Sequence, residues 1–512
     1  VDFDPNEEEA IHTSNGSRDL FIQKINAAGG LDWIKSIGGA ASESTTSMYV
    51  DEDDNIFITG MFESTVDFDP GIGVYNLTAP GEDTHEDFIL KGDEDANFIW
   101  AKSFGGDLNE ASNEIKTDAD GNIYCAGFFE GTIDLDPGEG VTEYTATGIG
   151  SSFVIKLDAN GDLIWHYVTN GETMPHGNSA YDVIISDLGE VTVVGHFAET
   201  VDFDFSDDTY NVTSAGATDA FILRLSAEGE FIWMNHFGGS ANDRCFQSRL
   251  DSDGNTYVTG EFLGSFTISL PEGDQTITSN GSFDIFVVKI DSEGNFVWMK
   301  TIGGIALDGG RGLYLCADGN LAITGRFQYN VDFDPNEGVV ELNATGTDGY
   351  IAKMNTDGEL LWVEPFGDTG TDFGIDLKED AEGNIYVSGV FDVETDLDPG
   401  SGTQHFSSEG SYDGFLFKLS GIAGTEKNII GKLNLYPNPA VNETYLELDQ
   451  AINNGTIEII NISGKVVYSD AFNNISSRAL RIELQQEPGV YFVKVKTINN
   501  ETFISKLIIS AN

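Results

Sequence analysis

The chain has 512 residues and carries 86 acidic side chains against 25 basic ones, which gives a net charge of −61 at neutral pH. Such a charge repels phosphate backbones and attracts multivalent cations, so it excludes nucleic acid as a natural partner. No apolar run reaches the length of about 18 residues that a membrane-spanning helix requires. The sequence therefore predicts no transmembrane segment.

The chain opens on a phrase that it repeats. VDFDP at residue 1 returns as VDFDP at 66, IDLDP at 133, VDFDF at 201, VDFDP at 331 and TDLDP at 395, and a degenerate FTISLP covers 266–271. Consecutive copies start 64 to 68 residues apart. A fixed period of this kind is typical of repeat architectures, because each unit buries its apolar surface against its neighbours.

Three other phrases recur in the same order within each unit. One is typified by DFILK at 87, and another, typified by FIWAKSFGG, holds every tryptophan of the chain: Trp33, Trp100, Trp165, Trp233, Trp298 and Trp362. The third has the pattern GxF, with its glycine at Gly60, Gly127, Gly195, Gly260, Gly325 and Gly389. We expect the Trp and the Phe of GxF to fill the space between units, and the glycine to allow a bulge or a close backbone approach.

The apolar runs of each unit indicate strands. They are four to eight residues long, rich in Ile, Val, Phe, Tyr and Thr, and separated by turns such as DADGN and DSDGN. Many are apolar at consecutive positions, as in FILRL, so both faces of each sheet must be covered. Four-stranded sheets packed around an axis satisfy this requirement. Residues 1–420 are therefore predicted to form an all-β propeller with four-stranded blades of about 65 residues.

The motifs GNxYxxGxF, DFDPG, DxFIxKLDxxGxxxW and GG, in this order, resemble the bacterial seven-bladed β-propeller (SBBP-type) repeat. The resemblance implies seven blades, but the strands add up to five complete units, a first unit with its last two strands and a final unit with its first three. Either seven blades form and part of the first lies upstream of Val1, or LDWIKSIGG completes the last unit and gives six. We expect seven, because the chain lacks an initiator Met and a signal peptide, as a processed or truncated chain does.

A domain of different character follows. Residues 421–432 read as a linker, and residues 433–512 are near neutral and alternate apolar with polar residues between turns, which predicts a small Ig-like β-sandwich. LYPNPA, IEIINISGKVV, PGVYFVKV and KLIIS resemble the type A C-terminal sorting domain of the type IX secretion system. The motif residues are Tyr436, Pro437, Asn438, Pro439, Gly489 and Lys506.

The sorting-domain resemblance implies a partner and a location. It implies handling by the type IX secretion machinery and export across the outer membrane of a Gram-negative bacterium. The mature protein would be secreted or held on the outer cell surface, with the sorting domain removed. Cys125, Cys245 and Cys316 lie in or beside strands of three different units, so buried free thiols are expected rather than bridges.

The aspartates of VDFDP allow two interpretations. Residues two apart on a strand share a face at about 6.5 to 7 Å, and Asp-x-Asp-x-Gly is part of the spacing of calcium loops. Asp followed by Pro is equally what an ordinary type I turn prefers. The turn is the first interpretation and a weak calcium site is the second, with calcium as the one possible cofactor; the residues concerned are Asp67, Asp69, Asp134, Asp136, Asp202, Asp204, Asp332, Asp334, Asp396 and Asp398.

Three classes of function remain open, since the fold cannot choose between them. The chain could be a binding or adhesion module for a glycan or another cell-surface ligand, an extracellular polysaccharide-degrading enzyme, or a structural component of a surface coat. No HExxH, CxxC or GxSxG motif is present, and we expect a binding module without enzymatic activity. The stretch from Trp165 to Tyr181 departs most from the repeat, so His166, His176 and Tyr181 are the predicted ligand-binding residues.

Overall fold

The computed structural model describes most of the chain. The described residues are 1–4, 9–81, 85–146, 148, 150–171, 177–206, 208–399, 402–408, 410–420, 433–436, 438, 440–441, 443–448, 452–461, 466–475, 480–483, 489–497 and 502–509. The predicted linker at 421–432 lies outside them, as do His176, Pro437 and Pro439. Every regular element in these ranges is a strand, and they contain no helix that could span a membrane.

The strands before residue 420 form seven successive repeats. Repeat 1 consists of β1 (Leu20–Ile25) and β2 (Leu31–Ile37). Repeat 2 consists of β3 (Glu43–Val50), β4 (Ile56–Glu63), β5 (Thr65–Asp67), β6 (Asn76–Thr78), β7 (His85–Gly92) and β8 (Phe98–Gly106). Repeat 3 consists of β9 (Glu110–Thr117), β10 (Ile123–Phe129), β11 (Thr132–Asp134), β12 (Glu143–Thr145), β13 (Ser151–Leu157), β14 (Leu163–Val168) and β15 (Asn170–Gly171). Repeat 4 consists of β16 (Ser179–Ile185), β17 (Val191–Phe197), β18 (Thr200–Asp202), β19 (Asn211–Thr213), β20 (Asp219–Leu225) and β21 (Phe231–Phe237).

The remaining three repeats follow the same plan. Repeat 5 consists of β22 (Arg244–Leu250), β23 (Thr256–Phe262), β24 (Ser265–Leu270), β25 (Gly273–Thr278), β26 (Asp284–Ile290) and β27 (Phe296–Ile302). Repeat 6 consists of β28 (Gly309–Leu315), β29 (Leu321–Asp332), β30 (Glu341–Met354) and β31 (Leu360–Phe366). Repeat 7 consists of β32 (Phe373–Glu379), β33 (Ile385–Phe391), β34 (Glu394–Asp396), β35 (His405–Ser407) and β36 (Asp413–Leu419).

Each of the repeats 2 to 6 has one antiparallel four-stranded sheet, as predicted. The strand orders are β3-β4-β7-β8, β9-β10-β13-β14, β16-β17-β20-β21, β22-β23-β26-β27 and β28-β29-β30-β31. Repeat 1 has the pair β1-β2 and repeat 7 has the three strands β32-β33-β36. The first strand of each complete sheet, here called the inner strand, contacts the inner strand of the next repeat from β3 to β32. This series of small antiparallel sheets is consistent with a β-propeller.

Phenylalanines, rather than tryptophans, fill the space between the sheets. The Phe of GxF is fully buried at Phe62, Phe129, Phe197, Phe262 and Phe327. The tryptophans are half-buried near the sheet ends. The Trp165 indole donates to the carbonyl of Ala227 at 3.0 Å, in a turn of the following repeat, and Trp298 repeats this contact with Thr356 at 3.1 Å. Trp165 and Trp298 therefore connect their sheets to a turn of the next repeat, and the tryptophans bury less surface than expected.

The hairpins that carry VDFDP link neighbouring repeats. β11 of repeat 3 pairs with the end of β8 in repeat 2, and β18 of repeat 4 pairs with β15 in repeat 3. At the junction between repeats 6 and 7 the Gly367 amide donates to the Asp396 carbonyl at 2.9 Å. The VDFDP motif thus lies in hairpins that hydrogen-bond one repeat to the preceding one.

The glycine of GxF allows a close backbone approach, as predicted, and the accompanying bulge lies in the partner strand. A Cβ atom on Gly389 would lie 2.2 Å from the Phe373 carbonyl oxygen and 2.5 Å from the Phe415 ring. Opposite this glycine position the inner strand carries one extra residue in all six sheets, at Thr46, Asn113, Tyr181, Phe246, Arg311 and Ile375. A bulge redirects the side chain of the extra residue.

Alanine at Gly389 is therefore expected to destabilise the repeats by about 2 to 3 kcal/mol, because its methyl group overlaps backbone that cannot yield. Urea unfolding monitored by tryptophan fluorescence would measure this, since every tryptophan precedes residue 420. Gly414→Ala in the same sheet is the control, because the added Cβ would meet nothing closer than 3.9 Å. Equal midpoints for the two variants would contradict the steric explanation.

The junctions between repeats hold buried carboxyl pairs. One member begins the third strand of a sheet and the other follows the GG of the outer strand, which gives the pairs Asp19–Glu43, Glu86–Glu110, Asp219–Asp243, Asp284–Asp308 and Asp348–Asp372. The second glycine of GG donates its amide to the second carboxyl, from Gly239 to Asp243 at 2.8 Å and from Gly304 to Asp308 at 2.6 Å. The GG motif thus supplies a backbone amide that donates a hydrogen bond to a buried carboxyl group.

These carboxyl groups are hard to ionise. Burial raises the pKa of Glu110 to about 8 and that of Asp243, Asp284 and Asp348 to about 7, and the negative charge of a nearby carboxylate adds to each rise. At the junction between repeats 3 and 4 the pair is replaced by the neutral Ser151 and Asn178. Asn178 Oδ1 accepts the Ala198 amide at 3.0 Å, as Asp243 Oδ1 accepts the Leu263 amide at 3.0 Å. A neutral group therefore serves at this position.

The C-terminal segment forms two further sheets. Its strands are β37 (Leu433–Tyr436), β38 (Glu443–Leu448), β39 (Ile452–Asn461), β40 (Val466–Ile475), β41 (Leu480–Glu483), β42 (Gly489–Thr497) and β43 (Thr502–Ile509). They assemble as β37-β38-β41 and β40-β39-β42-β43 around one apolar core that includes Leu446, Ile457, Ile482 and Val493. The Ig-like topology stays a prediction.

Candidate functional site

Three arginines surround one buried glutamate where the inner strands of repeats 5 and 6 begin. Arg244 Nη1 lies 3.8 Å from one carboxylate oxygen of Glu261, while Arg311 Nη2 and Arg326 Nη2 lie 3.8 and 3.5 Å from the other. The Glu261 side chain is 4% exposed, whereas the arginine side chains are 22 to 34% exposed. The four groups carry a local charge of +2 in a chain whose net charge is −61.

Aromatic rings hold this cluster in place. The Arg311 guanidinium stacks on the Phe246 ring with its carbon 3.8 Å from the ring centroid, a cation–π contact that fixes the plane of the guanidinium. Tyr181 lies on the other side of Phe246 at 5.2 Å between centroids and contacts His196 at 5.4 Å. We call Arg244, Arg311, Arg326, Glu261, Phe246 and Tyr181 the arginine site.

The donors of the arginine site are incompletely used. Within the described part of the chain, the buried Nε atoms of Arg244 and Arg326 and one carboxylate oxygen of Glu261 have no hydrogen-bond partner. At 3.5 to 3.8 Å the guanidinium groups balance the charge of Glu261 without forming close hydrogen bonds to it. The site therefore has positive charge and N–H donors in excess of what Glu261 requires.

Most of the arginine site comes from two repeat positions, and Arg244 adds a third, opposite Glu261 in the ladder. The bulged residue is Tyr181, Phe246 and Arg311 in repeats 4, 5 and 6, and the x of GxF is His196, Glu261 and Arg326 in the same repeats. The other repeats have Thr46, Asn113 and Ile375 at the first position and Met61, Phe128 and Val390 at the second. Three neighbouring repeats therefore carry ionisable side chains at the x of GxF, where the other repeats carry apolar ones.

The sequence analysis missed all of these residues except Tyr181. The signal was present, because half of the six arginines before residue 420 belong to the site. It lay in the positions where units differ, whereas the motifs were found from positions where units agree.

A second polar cluster lies further along the inner strands. Asp182 of repeat 4 is fully buried and accepts the Ser248 amide at 2.6 Å and the Ser248 hydroxyl at 2.7 Å, while Arg249 lies 3.8 Å away. Burial raises the pKa of Asp182, the charge of Glu114 raises it further, and Lys116 and Arg249 oppose that rise. We call Glu114, Lys116, Asp182, Arg249, Asp376 and Lys378 the charged network.

The charged network joins repeats that are distant in sequence. Gln247 of repeat 5 donates to Asp376 of repeat 7 at 3.1 Å, across 129 positions of the chain. The charges of Lys116 and Glu114 in repeat 3 act on Lys378 in repeat 7. The inner strands of repeats 3, 4, 5 and 7 thus face one common axis, around which three acidic and three basic groups balance.

The VDFDP aspartates act as clamps within their own loops. Asp67 Oδ1 accepts the amides of Asp69 at 3.1 Å and Tyr75 at 2.8 Å, and Asp69 Oδ1 accepts the Gly71 amide at 2.8 Å. The same bonds recur at Asp134 and Asp136, Asp202 and Asp204, and Asp332 and Asp334. In repeat 7, Asp396 accepts two backbone amides in the same way, one of them that of Asp398. The described residues contain no group of three or more His, Cys, Asp or Glu side chains arranged for a metal ion. Calcium binding here stays a prediction.

The predicted ligand-binding residues have separate surroundings. His166 lies in β14, where its Nε2 is 2.6 Å from the Tyr144 hydroxyl and its ring packs on Phe205. Tyr181 lies in β16, in the arginine site. The structure therefore places Tyr181 beside Phe246 and His166 among other aromatic rings, and His176 lies outside the described residues.

The sorting-motif residues lie in the C-terminal sheets. The Tyr436 ring stacks on Tyr445 with 5.8 Å between centroids. Asn438 is exposed, and its neighbours Pro437 and Pro439 lie outside the described residues. Gly489 begins β42 opposite Ile509, and Lys506 pairs with Phe492 in the same ladder. The residues that carry the sorting resemblance thus belong to the fold of this segment.

Comparisons with known proteins support an exported repeat protein. An uncharacterized WD repeat-containing protein of Acanthamoeba polyphaga mimivirus is 21% identical over 476 residues, covering 80% of this chain and 34% of its own length. The regulatory protein FlaEY of Caulobacter vibrioides is 24% identical over 170 residues, covering 32% of this chain and 17% of its own. The chain thus spans about a third of the length of the WD repeat-containing protein and less than a fifth of the length of FlaEY. The likeness to a WD-repeat protein agrees with a propeller-like repeat fold.

One solved structure and one family model complete the comparison. Dimeric latent PorU from Porphyromonas gingivalis is 9% identical with a TM-score of 0.14, covering 92% of this chain and 34% of its own. Residues 434–510 match the family model described as "Secretion system C-terminal sorting domain". The segment is the sorting domain of the type IX secretion system, so the protein is secreted or anchored on the outer surface of a Gram-negative bacterium of the Bacteroidetes type.

Proposed function

We propose that this protein is an exported binding module, a seven-bladed propeller that holds a cell-surface or extracellular ligand at the arginine site. The observation that supports binding is that repeats 4, 5 and 6 depart together from the apolar residues of the other repeats at the x of GxF, where they carry His196, Glu261 and Arg326. A purely structural spacer has no need of such a departure, because every other junction forms without it. Each of the seven repeats would supply one blade.

The partly exposed rings and guanidinium groups suit recognition better than catalysis. Phe246 and Tyr181 are half-buried and Arg311 is 29% exposed, so a ligand can reach them. Tyrosine and arginine are frequent at binding hot spots, because they combine apolar area with directed hydrogen bonds. The one acidic group of the site, Glu261, is buried beneath three arginines and is poorly placed to accept a substrate proton.

Screening the full chain against an array of neutral and acidic glycans tests the proposal. We expect at least one glycan to bind, and Phe246→Thr, which restores the residue type of Thr46 at this position, to weaken that binding at least tenfold. Tyr412→Ala removes an aromatic ring that is 52% exposed elsewhere and should leave binding unchanged. Binding that survives Phe246→Thr would move the site elsewhere, and release of new reducing ends would instead favour a polysaccharide-degrading enzyme.

A further inference from the structure

The arginine site has the composition of a receptor for one negative charge. Three guanidinium groups close to one another repel, and a single arginine would suffice to pair Glu261. Partial burial of the two surplus charges costs free energy. The cation–π contacts of Arg311 with Phe246 and of Arg326 with Phe373, and the charge of Asp308 near Arg326, offset part of that cost. A bound anion would offset the remainder.

The geometry favours an oxyanion that presents two oxygen atoms to one guanidinium group. Stacking on Phe246 holds the Arg311 guanidinium in a fixed plane, so its N–H groups are oriented before a ligand arrives. Guanidinium groups bind carboxylate, sulfate and phosphate through paired N–H···O bonds. Glu261 sits behind the three arginines and limits their mutual repulsion while the site is empty.

The charge of the whole chain restricts the ligand further. A net charge of −61 repels any polyanion as it approaches, so a long acidic polymer or a nucleic acid is disfavoured. Within about 8 Å at physiological salt the local charge of +2 dominates over distant charges. A small ligand with a single anionic group can therefore bind where a polyanion cannot.

We propose that the arginine site binds a saccharide that bears one oxyanion, a carboxylate or a sulfate, with Arg244, Arg311 and Arg326 as its ligands. This inference rests on the proposed binding function and names the chemical class of its ligand. Tyr181 and Phe246 are positioning residues: Phe246 orients Arg311, and Tyr181 packs behind Phe246.

Isothermal titration of the full chain with matched disaccharides tests the inference. Cellobiouronate and cellobiose differ by one carboxylate, and 3′-sulfolactose and lactose differ by one sulfate. In at least one of the two pairs, we expect the acidic disaccharide to bind at least tenfold more tightly than its neutral partner. Which of the two pairs shows the difference separates carboxylate from sulfate recognition, and heparin should bind more weakly than the preferred disaccharide.

Substitutions locate the effect. Arg311→Met should weaken the acidic disaccharide at least tenfold and leave the neutral one within twofold, and Glu261→Gln should strengthen the acidic one severalfold because it removes a competing charge. Arg18→Met makes the same change of net charge at an exposed position and should alter neither. Arg326→Met serves as the second variant if Arg311→Met does not fold.

Three outcomes overturn the inference, each in a different way. Equal affinities for acidic and neutral members, together with loss of both in Phe246→Thr, would retain the binding module and reject its anionic ligand. Equal losses in Arg311→Met and Arg18→Met would show that overall charge, and not the arginine site, controls binding. An absence of binding to every disaccharide and to the glycan array would reject the proposed function itself.

Discussion

The full chain is expected to melt at least about 5 °C higher near pH 5.5 than near pH 8, because its carboxyl pairs lose their protons between these values. Asp284 and Asp348 have pKa values of about 7 in the folded chain, against 3.8 for a free aspartate. Between these values the folded state binds more protons than the unfolded state. Stability is therefore fully present below about pH 4, falls as the pH rises through 7, and levels off above it.

The expected size follows from the pKa values. One pKa unit corresponds to about 1.4 kcal/mol, so a single buried aspartate raised to about 7 would cost up to about 4 kcal/mol when ionised. Differential scanning calorimetry across this pH range measures the effect. The surface charge of the chain acts in the same direction, so the scans belong in about 0.5 M NaCl, which screens exposed charges more than buried ones.

A double variant separates the carboxyl pairs from the surface charge. Asp284→Asn/Asp348→Asn removes one carboxyl from each of two pairs, and the Oδ1 atom of each aspartate has no hydrogen-bond partner that the change would break within the described residues. We expect the variant to be more stable than the wild type near pH 8 and less sensitive to pH. Asp53→Asn/Asp120→Asn makes the same charge change at exposed positions. Equal pH dependence in both variants would refute the role of the pairs.

The parts of the fold that were predictable from sequence are those that depend on neighbouring residues. Short apolar runs, glycine turns and a repeating tryptophan specify a sheet of four strands, and they also predicted the two-stranded first sheet and the three-stranded last one. These features are local, since the strands of a sheet all come from one repeat and pair in chain order, apart from the VDFDP hairpin between the second and third strands. The same locality made the sorting domain recognisable from short motifs such as LYPNPA.

The features that escaped prediction depend on contacts between repeats. Asp284 and Asp308 meet across a junction, and nothing in the GG motif beside them indicates that its amide holds a buried carboxyl. The arginine site needs the register of three inner strands, including a bulge that shifts each of them by one residue. Recurrence in a sequence identifies the scaffold, whereas function has to be sought among the exceptions to it.

The charged network should contribute strongly to stability, because it balances the buried charge of Asp182 at the axis. Arg249→Met is expected to lower the free energy of unfolding by about 3 kcal/mol near pH 8, because it removes one of the two counter-charges of the buried Asp182 and leaves Lys116 as the other. The Asp182 side chain is 1% exposed and Arg249 lies 3.8 Å from it. Urea unfolding monitored by tryptophan fluorescence would measure the loss.

The loss should depend on pH and on Asp182. As the pH falls, Asp182 can take up a proton at a small cost in free energy, because burial already raises its pKa. The loss of stability in Arg249→Met should therefore shrink in acid. Asp182→Asn/Arg249→Met keeps an acceptor for the Ser248 amide without a charge, and it should recover at least half of the lost stability. A defect that is the same at both pH values and in the double variant would show that Arg249 stabilises the axis by packing alone. Recovery would show instead that the inner strands hold charges at the axis because those charges are paired across repeats.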